Sequence, residues 1–440
     1  MTQFIILLVV TIFLFIVSIK VTKGELFACS SITLLSLIFA IALLFIISAV
    51  WRVELSSKSV WILCCAFVSL TLGDLLAYRR NKPVYTTIYS PCYIRIKYNN
   101  FLLFVYIVAT ALYALEIKRL GASIGFNDLH AIGEVKDNME ELNSQMNPFI
   151  KQMYKVVTAS SYLHSLIFAN NVFLAKSRWT KELKHLTPFI CTVVITLASG
   201  GRLNIFKVMV GAIFIIYMIL RESSYWKEKY FSKIIKIGLP LIIGFILLFS
   251  AVGLIVKANA SERNEINTFE YTAYYAGSPI LVFDIKLNDG VKKWTYDRFG
   301  NYTLSGIYKI LGLEKDKQSK NIGNGMVYLG GFSDSGGNAM TIFGGLYFDF
   351  GLIGMCIVLF LTYYYFSRYY YRNILKSYSS YQRNKKLMVY TYCYVSLIVM
   401  AFYDSCYYIL LSTTGLLTLA VLLIMYWVYF KKLIIVHAVR

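Results

Sequence analysis

Two kinds of residue in this chain could do chemistry at a membrane surface. One is an arginine between apolar runs; the other is a small set of carboxylates beside aromatic residues. Ser199-Gly200-Gly201-Arg202 separates an apolar run over 187–198 from another over 203–220. That spacing predicts a two-helix hairpin with Arg202 at its tip. An arginine near hydrocarbon is costly unless it is paired or reaches the interface. The two glycines permit a tight turn and the close approach of a large anion. A permanently charged, planar guanidinium there suits the oxygens of a phosphate-bearing lipid; a snorkelling anchor is the other reading of the same residue. Asp349 and Asp404 fall just inside the outer ends of later apolar runs. Intramembrane carboxylates are functional candidates by default, and pairing with Arg202 or another cation for purely structural reasons is the alternative. In the long polar stretch before them, Glu270, Asp284, Asp297 and Arg298 are the charges flanked by aromatics. Each of these could also be an ordinary surface residue. A carboxylate can take the proton of a hydroxyl nucleophile. The rings of Tyr271, Tyr274, Tyr275, Trp294 and Tyr302 could stack on sugars. Asp74 lies toward the opposite membrane face, on the wrong side for such a site.

The elements that must position these groups are membrane helices. Of 440 residues, 58% are hydrophobic and only 15% are charged, against about 25% charged in soluble domains. Mean hydropathy is +0.60. Apolar runs near 3–19, 29–50, 59–78, 101–117, 153–175, 187–199, 203–220, 237–256, 342–367, 387–410 and 413–430 predict an all-α polytopic membrane protein with about 11 transmembrane helices (10–12). The first run lacks the charged leader and small-residue cleavage site of a signal peptide and reads as the first span. The net charge of +21 is a topology signal and not a nucleic-acid footprint. Loops 20–28, 79–100, 176–186, 221–236, 368–386 and the tail 431–440 hold 25 Lys/Arg, while 51–58, 118–152, 200–202 and 411–412 hold seven. The positive-inside rule then places the N-terminus outside and the C-terminus in the cytoplasm.

This reading divides the chain into a membrane domain over 1–256, a large extracytoplasmic loop over 257–341, and a second membrane domain with a cytoplasmic tail over 342–440. Within 257–340, ten Lys/Arg nearly balance nine Asp/Glu. That balance is expected of a folded polar surface, and long loops of this kind are usually functional. Residues 262–287 suggest helix, and the glycines over 322–345 suggest irregular backbone close to the membrane edge. Over 118–152, Leu129, Ile132, Met139, Leu142 and Met146 approximate the spacing of an amphipathic surface helix. Eight cysteines and four histidines show no metal spacing, so no metal and no cofactor is expected. Phosphate-loop, nucleophile-elbow and zincin motifs are absent.

Three features together resemble the bacterial O-antigen polymerases, the oligosaccharide repeat-unit polymerases of Wzy type. They are the span number, the Ser-Gly-Gly-Arg hairpin, and the stretch Asn338-Ala339-Met340-Thr341-Ile342-Phe343-Gly344-Gly345-Leu346-Tyr347-Phe348-Asp349-Phe350-Gly351-Leu352-Ile353-Gly354. The last is similar to the family's Asn-x-x-Thr…Tyr-x-Asp-Phe-Gly-x-x-Gly signature. Tyr274-Tyr275-Ala276-Gly277 resembles its Tyr-Tyr-x-Gly segment. The resemblance implies a metal-independent glycosyltransferase of the inner membrane. It would transfer a growing polysaccharide from undecaprenyl pyrophosphate to the next lipid-linked repeat unit at the periplasmic face. A chain-length regulator protein would be a further partner, and nucleic acid would not be one. On that reading Arg202 and Arg298 bind pyrophosphate, Tyr274, Tyr275 and Asn338 contact substrate, and Asp349, Asp284 and Glu270 are the candidate bases. Two alternatives compete. A flippase or other transporter of lipid-linked oligosaccharides would be expected to carry charges along a central path and to have short loops. An O-antigen ligase would be expected to carry a histidine in the outer loop, and 257–340 has none.

Overall fold

A computed structural model describes residues 1–83, 92–125, 145–199, 202–224, 226, 268–290, 299–313, 327–329, 336–337, 339–375, 381–400 and 406–438. Its helices are α1 (Thr2–Val21), α2 (Cys29–Trp51), α3 (Ser57–Arg80), α4 (Asn99–Ser123), α5 (Pro148–Ala169), α6 (Thr187–Ala198), α7 (Arg202–Ser223), α8 (Thr268–Asn288), α9 (Ser305–Ile310), α10 (Ile342–Tyr369), α11 (Tyr381–Val399), α12 (Cys406–Leu411) and α13 (Thr413–Val428). Two small antiparallel pairs accompany them. Strand β1 (Cys92–Ile96) pairs with β4 (Ile434–Ala438), and β2 (Val327–Tyr328) pairs with β3 (Gly336–Gly337).

Among the described residues, seven helices are long and apolar enough to cross a membrane: Thr2–Val21, Cys29–Trp51, Ser57–Arg80, Asn99–Ser123, Asn204–Ser223, Ile342–Ile374 and Thr413–Leu433. The expected runs near 153–175, 187–199 and 387–410 correspond to α5, α6 and α11, which are shorter or more polar. The run at 237–256 and most of the expected surface helix at 118–152 lie outside the described residues. Burial explains why such apolar sequences fold as they do. In α1 the buried positions are Phe4, Leu7, Thr11, Leu14 and Ser18, one stripe at helical spacing. Ile5, Val9, Phe13 and Ile16 on the rest of its circumference are exposed. A helix that packs along one stripe and is apolar all round needs lipid on its other faces.

The chain divides into two compact units. The first comprises 1–84, 267–376 and 393–416. Here α3 packs along α10 so closely that a Cβ at Gly73 would sit 2.4 Å from the carbonyl oxygen of Phe360, the small-residue contact that lets membrane helices approach. Gly277 of α8 packs on Leu44 of α2, so part of the stretch expected to be a polar loop is a helix buried against the bundle. At one end of this unit Asp74 accepts from Ser30 N at 2.9 Å and Tyr371 Oη at 2.9 Å, and Tyr370 Oη donates to Glu25 at 3.0 Å. At the other end gather residues 51–58, 299–313 and 341–349, and Leu411–Ser412 against Gly306.

The second unit comprises 85–266, 377–392 and 417–440. Its core is built from Tyr106, Tyr113, Ile117, Leu120, Val157, Cys191 and Ile195 of α4, α5 and α6, among others. A wider π-turn at Asn170–Leu174 ends α5 and turns Asn171 onto strand β1. Asn171 Oδ1 accepts from Ile94 N and its Nδ2 donates to Ile94 O, both at 2.9 Å. The amide thus imitates a neighbouring strand on the edge opposite β4. Buried beside it, the Glu182 carboxylate accepts from Asn171 Nδ2 at 2.9 Å, Ser177 Oγ at 2.7 Å and Tyr93 Oη at 3.1 Å. His185 Nε2 faces the same carboxylate at 3.5 Å, and its Nδ1 lies 3.1 Å from His164 Nδ1.

These contacts sort the loops of each unit into two sets. In the second unit β1, residues 170–186 and the C-terminal strand meet at one end, while Glu116 accepts from Asn147 N at 2.8 Å at the other. The alternation of basic and less basic loops requires this grouping.

Candidate active site

The site grows from a break in α10. Gly351 has φ 67° and ψ −175° inside a run that is otherwise helical. Only glycine adopts this combination without strain. The break bends the helix immediately after Asp349 and Phe350, so the Asp-Phe-Gly triplet has a backbone reason for its glycine. A Cβ at Gly351 would meet nothing within 4 Å, so the requirement is conformational and not steric. Gly351→Ala is expected to lower stability by about 1–3 kcal/mol, read as a lower thermal midpoint in detergent. An unchanged midpoint would show that the helix can straighten there.

Asp349 grips the loop before α9. Its Oδ1 accepts from Tyr302 N at 3.0 Å, and its Oδ2 accepts from Thr303 N and Thr303 Oγ1, each at 2.7 Å. Three donors on one half-buried carboxylate fold residues 299–305 down onto α10. Rings close around this grip. Tyr302 lies 6.3 Å from Phe348, and the exposed Phe299 packs 4.9 Å from Phe350, both between ring centroids.

Asp284, on α8, sits beneath the same aromatic layer. Phe283 and Phe348, the chain neighbours of the two carboxylates, meet edge to face at 6.3 Å. Asp284 is buried, and its Oδ1 accepts from Ser56 N at 3.0 Å and Ser56 Oγ at 2.6 Å. Ser56 caps α3, its hydroxyl oxygen accepting from Ser59 N at 3.2 Å. Oδ2 of Asp284 has no hydrogen bond among the described residues. The two carboxylates therefore differ in what remains to them. Both oxygens of Asp349 are engaged; one oxygen of Asp284 is open to take a proton.

The other expected residues are placed as follows. Glu270 occupies the first turn of α8 and is half-buried. Tyr274 and Tyr275, both about one turn on, form an edge-to-face pair at 5.2 Å. Arg202 opens α7 directly after the turn at Ser199 that ends α6, as the hairpin expectation requires; it belongs to the second unit and its side chain lies outside the described residues. Asn338, Arg298, Asp297, Trp294 and Asp404 also lie outside the described residues. Ser56 and Thr303 were not expected at the site. Ser56 carried a signal, since a serine directly before an apolar run marks a helix start. Thr303 acts through both its backbone N–H and its hydroxyl and carried none. Among the described residues no three His, Cys, Asp or Glu side chains converge on one point. Comparison of the chain with protein-family models, with curated proteins and with solved structures yields no match.

Proposed function

We propose that the chain is a membrane-embedded glycosyltransferase that polymerises undecaprenyl-pyrophosphate-linked oligosaccharide repeat units at the periplasmic face of a bacterial inner membrane. The observation that supports this reading best is the geometry of 341–351. The residues that resemble the polymerase signature are the ones that break a helix, grip a loop and collect aromatic rings at one end of the first unit. In the reaction an acceptor hydroxyl of the lipid-linked repeat unit attacks the anomeric carbon of the growing chain. A C–O bond forms there, the bond to pyrophosphate breaks, and undecaprenyl pyrophosphate leaves with the bonding electrons. The hydroxyl proton passes to a carboxylate. Asp284 suits that task through its open oxygen, Asp349 holds the loop that shapes the site, and Glu270 is the further candidate on the same helix as Asp284. Arg202 and Arg298 would neutralise charge developing on the leaving pyrophosphate, while Tyr274, Tyr275 and Asn338 would meet the sugars.

The test is the lipopolysaccharide ladder of a strain lacking this protein. A ladder reduced to one repeat unit supports polymerisation. Loss of even that unit points to an O-antigen ligase or a flippase, and an intact ladder removes the proposal. Arg202→Ala is expected to abolish the ladder with the protein still inserted and abundant. Arg202→Lys should restore little, because lysine keeps the charge but loses the planar fork. A full ladder from the alanine variant would leave Arg202 as an anchor.

A further inference from the structure

Lys155 of α5 is a charge that nothing above explains. It is only 5% exposed, so its ammonium does not end in water as that of an anchoring lysine does. Among the described residues its hydrogen bond is to a neutral group, Nζ donating to Gln152 Oε1 at 2.8 Å, and no carboxylate lies within ion-pair distance of it. Glu116 is the carboxylate described at this end of the second unit, and both its oxygens are taken. Arg119 Nε donates to Oε2 at 2.9 Å, while Arg119 Nη2 and Asn147 N donate to Oε1, each at 2.8 Å. Lys151, one turn earlier on α5, adds a like charge. An ammonium offers three donors, and Gln152 takes one. A buried charge without a counter-charge is costly, and a cation in that state calls for an anion.

The packing of α5 says where that anion would lie. Lys155, Ala159 and Tyr162 are all buried and follow at i, i+4 and i+7, one face of the helix. Tyr162 fixes what this face meets: a Cβ at Gly211 of α7 would lie 2.4 Å from its Cε1. Both helices run away from the end that holds the hairpin turn. Seven residues back from the Tyr162–Gly211 contact on each helix, Lys155 comes level with Asn204. The hydroxyl of Tyr154, the chain neighbour of Lys155, accordingly lies beside Thr196 and Asn204, one on each arm of the hairpin. Arg202 opens α7 two residues before Asn204, about 3 Å along the axis. The backbone thus brings a buried cation to the level at which the Ser-Gly-Gly-Arg turn presents its arginine.

We infer that Lys155 is a second cation of the pyrophosphate site, acting with Arg202 on the leaving group. This rests on the reading above, in which Arg202 meets undecaprenyl pyrophosphate. Pyrophosphate carries more negative charge than one guanidinium matches, and its two phosphoryl groups can meet two donors at once. The ammonium is a point charge with donors to spare, and no carboxylate competes for it.

The test uses the full chain in detergent, with farnesyl pyrophosphate as the probe and farnesol as the uncharged control. Affinity and the thermal midpoint without ligand are both measured. Lys155→Met keeps an unbranched side chain of similar length and removes the charge. It should bind farnesyl pyrophosphate at least about tenfold more weakly than the parent, while its midpoint without ligand rises because an uncompensated buried charge is gone. Lys155→Arg should keep most of the affinity, and farnesol should not tell any of the proteins apart. If Lys155→Met binds as tightly as the parent while Arg202→Ala does not, the inference falls and the reading it rests on stands. If the parent does not bind farnesyl pyrophosphate in preference to farnesol, both fall. A lower midpoint for Lys155→Met without ligand assigns the lysine to the fold through Gln152 and likewise overturns the inference.

Discussion

Asp349→Ala is expected to leave little folded protein and no polymer. The substitution removes the acceptor of three hydrogen bonds at once and leaves the N–H groups of Tyr302 and Thr303 without it. Bonds to an ionised acceptor contribute about 1.5–3 kcal/mol each and are not additive, so a loss of about 3 kcal/mol or more is a fair expectation for the set. Asp349→Asn should also destabilise, because one of its two terminal atoms becomes a donor that meets donors. Asp284→Asn should behave differently. Its amide oxygen can still accept from Ser56 N and Oγ, and its nitrogen can take the position of the oxygen that has no partner. The fold should survive while the proton acceptor is gone. Membrane abundance measured beside the ladder separates the two carboxylates. Abundant Asp284→Asn protein with no ladder supports the base; abundant protein with a full ladder removes Asp284 from the chemistry. Abundant Asp349→Asn protein with a full ladder would show that the grip on the 302–303 loop is dispensable.

The second large effect concerns acid. Burial pushes the His185 ring down to about 4, with the attraction of Glu182 opposing and Lys184 adding to the shift. Burial also works to raise Glu182, but hydrogen bonds from Asn171, Ser177 and Tyr93, with the charge of His185, outweigh it and hold the carboxyl below its ordinary range. At neutral pH the pair is thus an ionised Glu182 beside an uncharged His185. An unfolded chain protonates its histidine near 6.5, whereas the folded chain does so only near 4. Between those values the unfolded state holds more protons, so stability is complete above about 6.5 and falls as pH drops toward 4. One group with this shift accounts for a loss on the order of 3 kcal/mol, and protonation of Glu182 extends the loss to lower pH. The groups facing His185 are Glu182, Lys184 and His164. A thermal midpoint followed from pH 7.5 to 4.5 should fall steeply below 6.5, and His185→Gln should flatten that limb. A parent protein whose midpoint is level over this range would contradict the assignment.

Much of the helical architecture was legible because apolar length and charge alternation are local signals. The helices α1, α2, α3, α4, α7, α10 and α13 follow from runs read directly, and the hairpin about Ser199 follows from a break in such a run. Asp349 was legible as a carboxylate at a helix end, but not its task. Its partners are backbone groups 46 and 47 residues away, and backbone donors have no sequence signature. The sequence suggests only helical stretches within a polar loop for α8, because charged residues interrupt it, and Asp284 and Lys286 among them are buried where a sequence pattern expects solvent. The four histidines show no metal spacing in sequence, yet His164 and His185 meet across 21 residues because the π-turn and the short helical turns after it fold residues 170–186 back on α5. Strand β4 was hidden inside what looked like the end of an apolar span and its basic tail. No pattern within five residues can announce a partner that lies in the chain's first quarter.

That pairing has a consequence for how the molecule is made. Ile434–Ala438 leaves the ribosome long after its partner Cys92–Ile96. The register Cys92↔Ala438 through Ile96↔Ile434 therefore closes a very long loop, and such distant contacts form slowly. Until Ile434–Ala438 has been made, β1 has the amide of Asn171 on one edge and no strand on the other, an exposed edge open to wrong pairing. The second unit is thus completed only after Ile434–Ala438 has been made. Removal of residues 434–438 would be expected to trap nascent protein in a state that quality-control proteases recognise, even though the described membrane helices before them are intact.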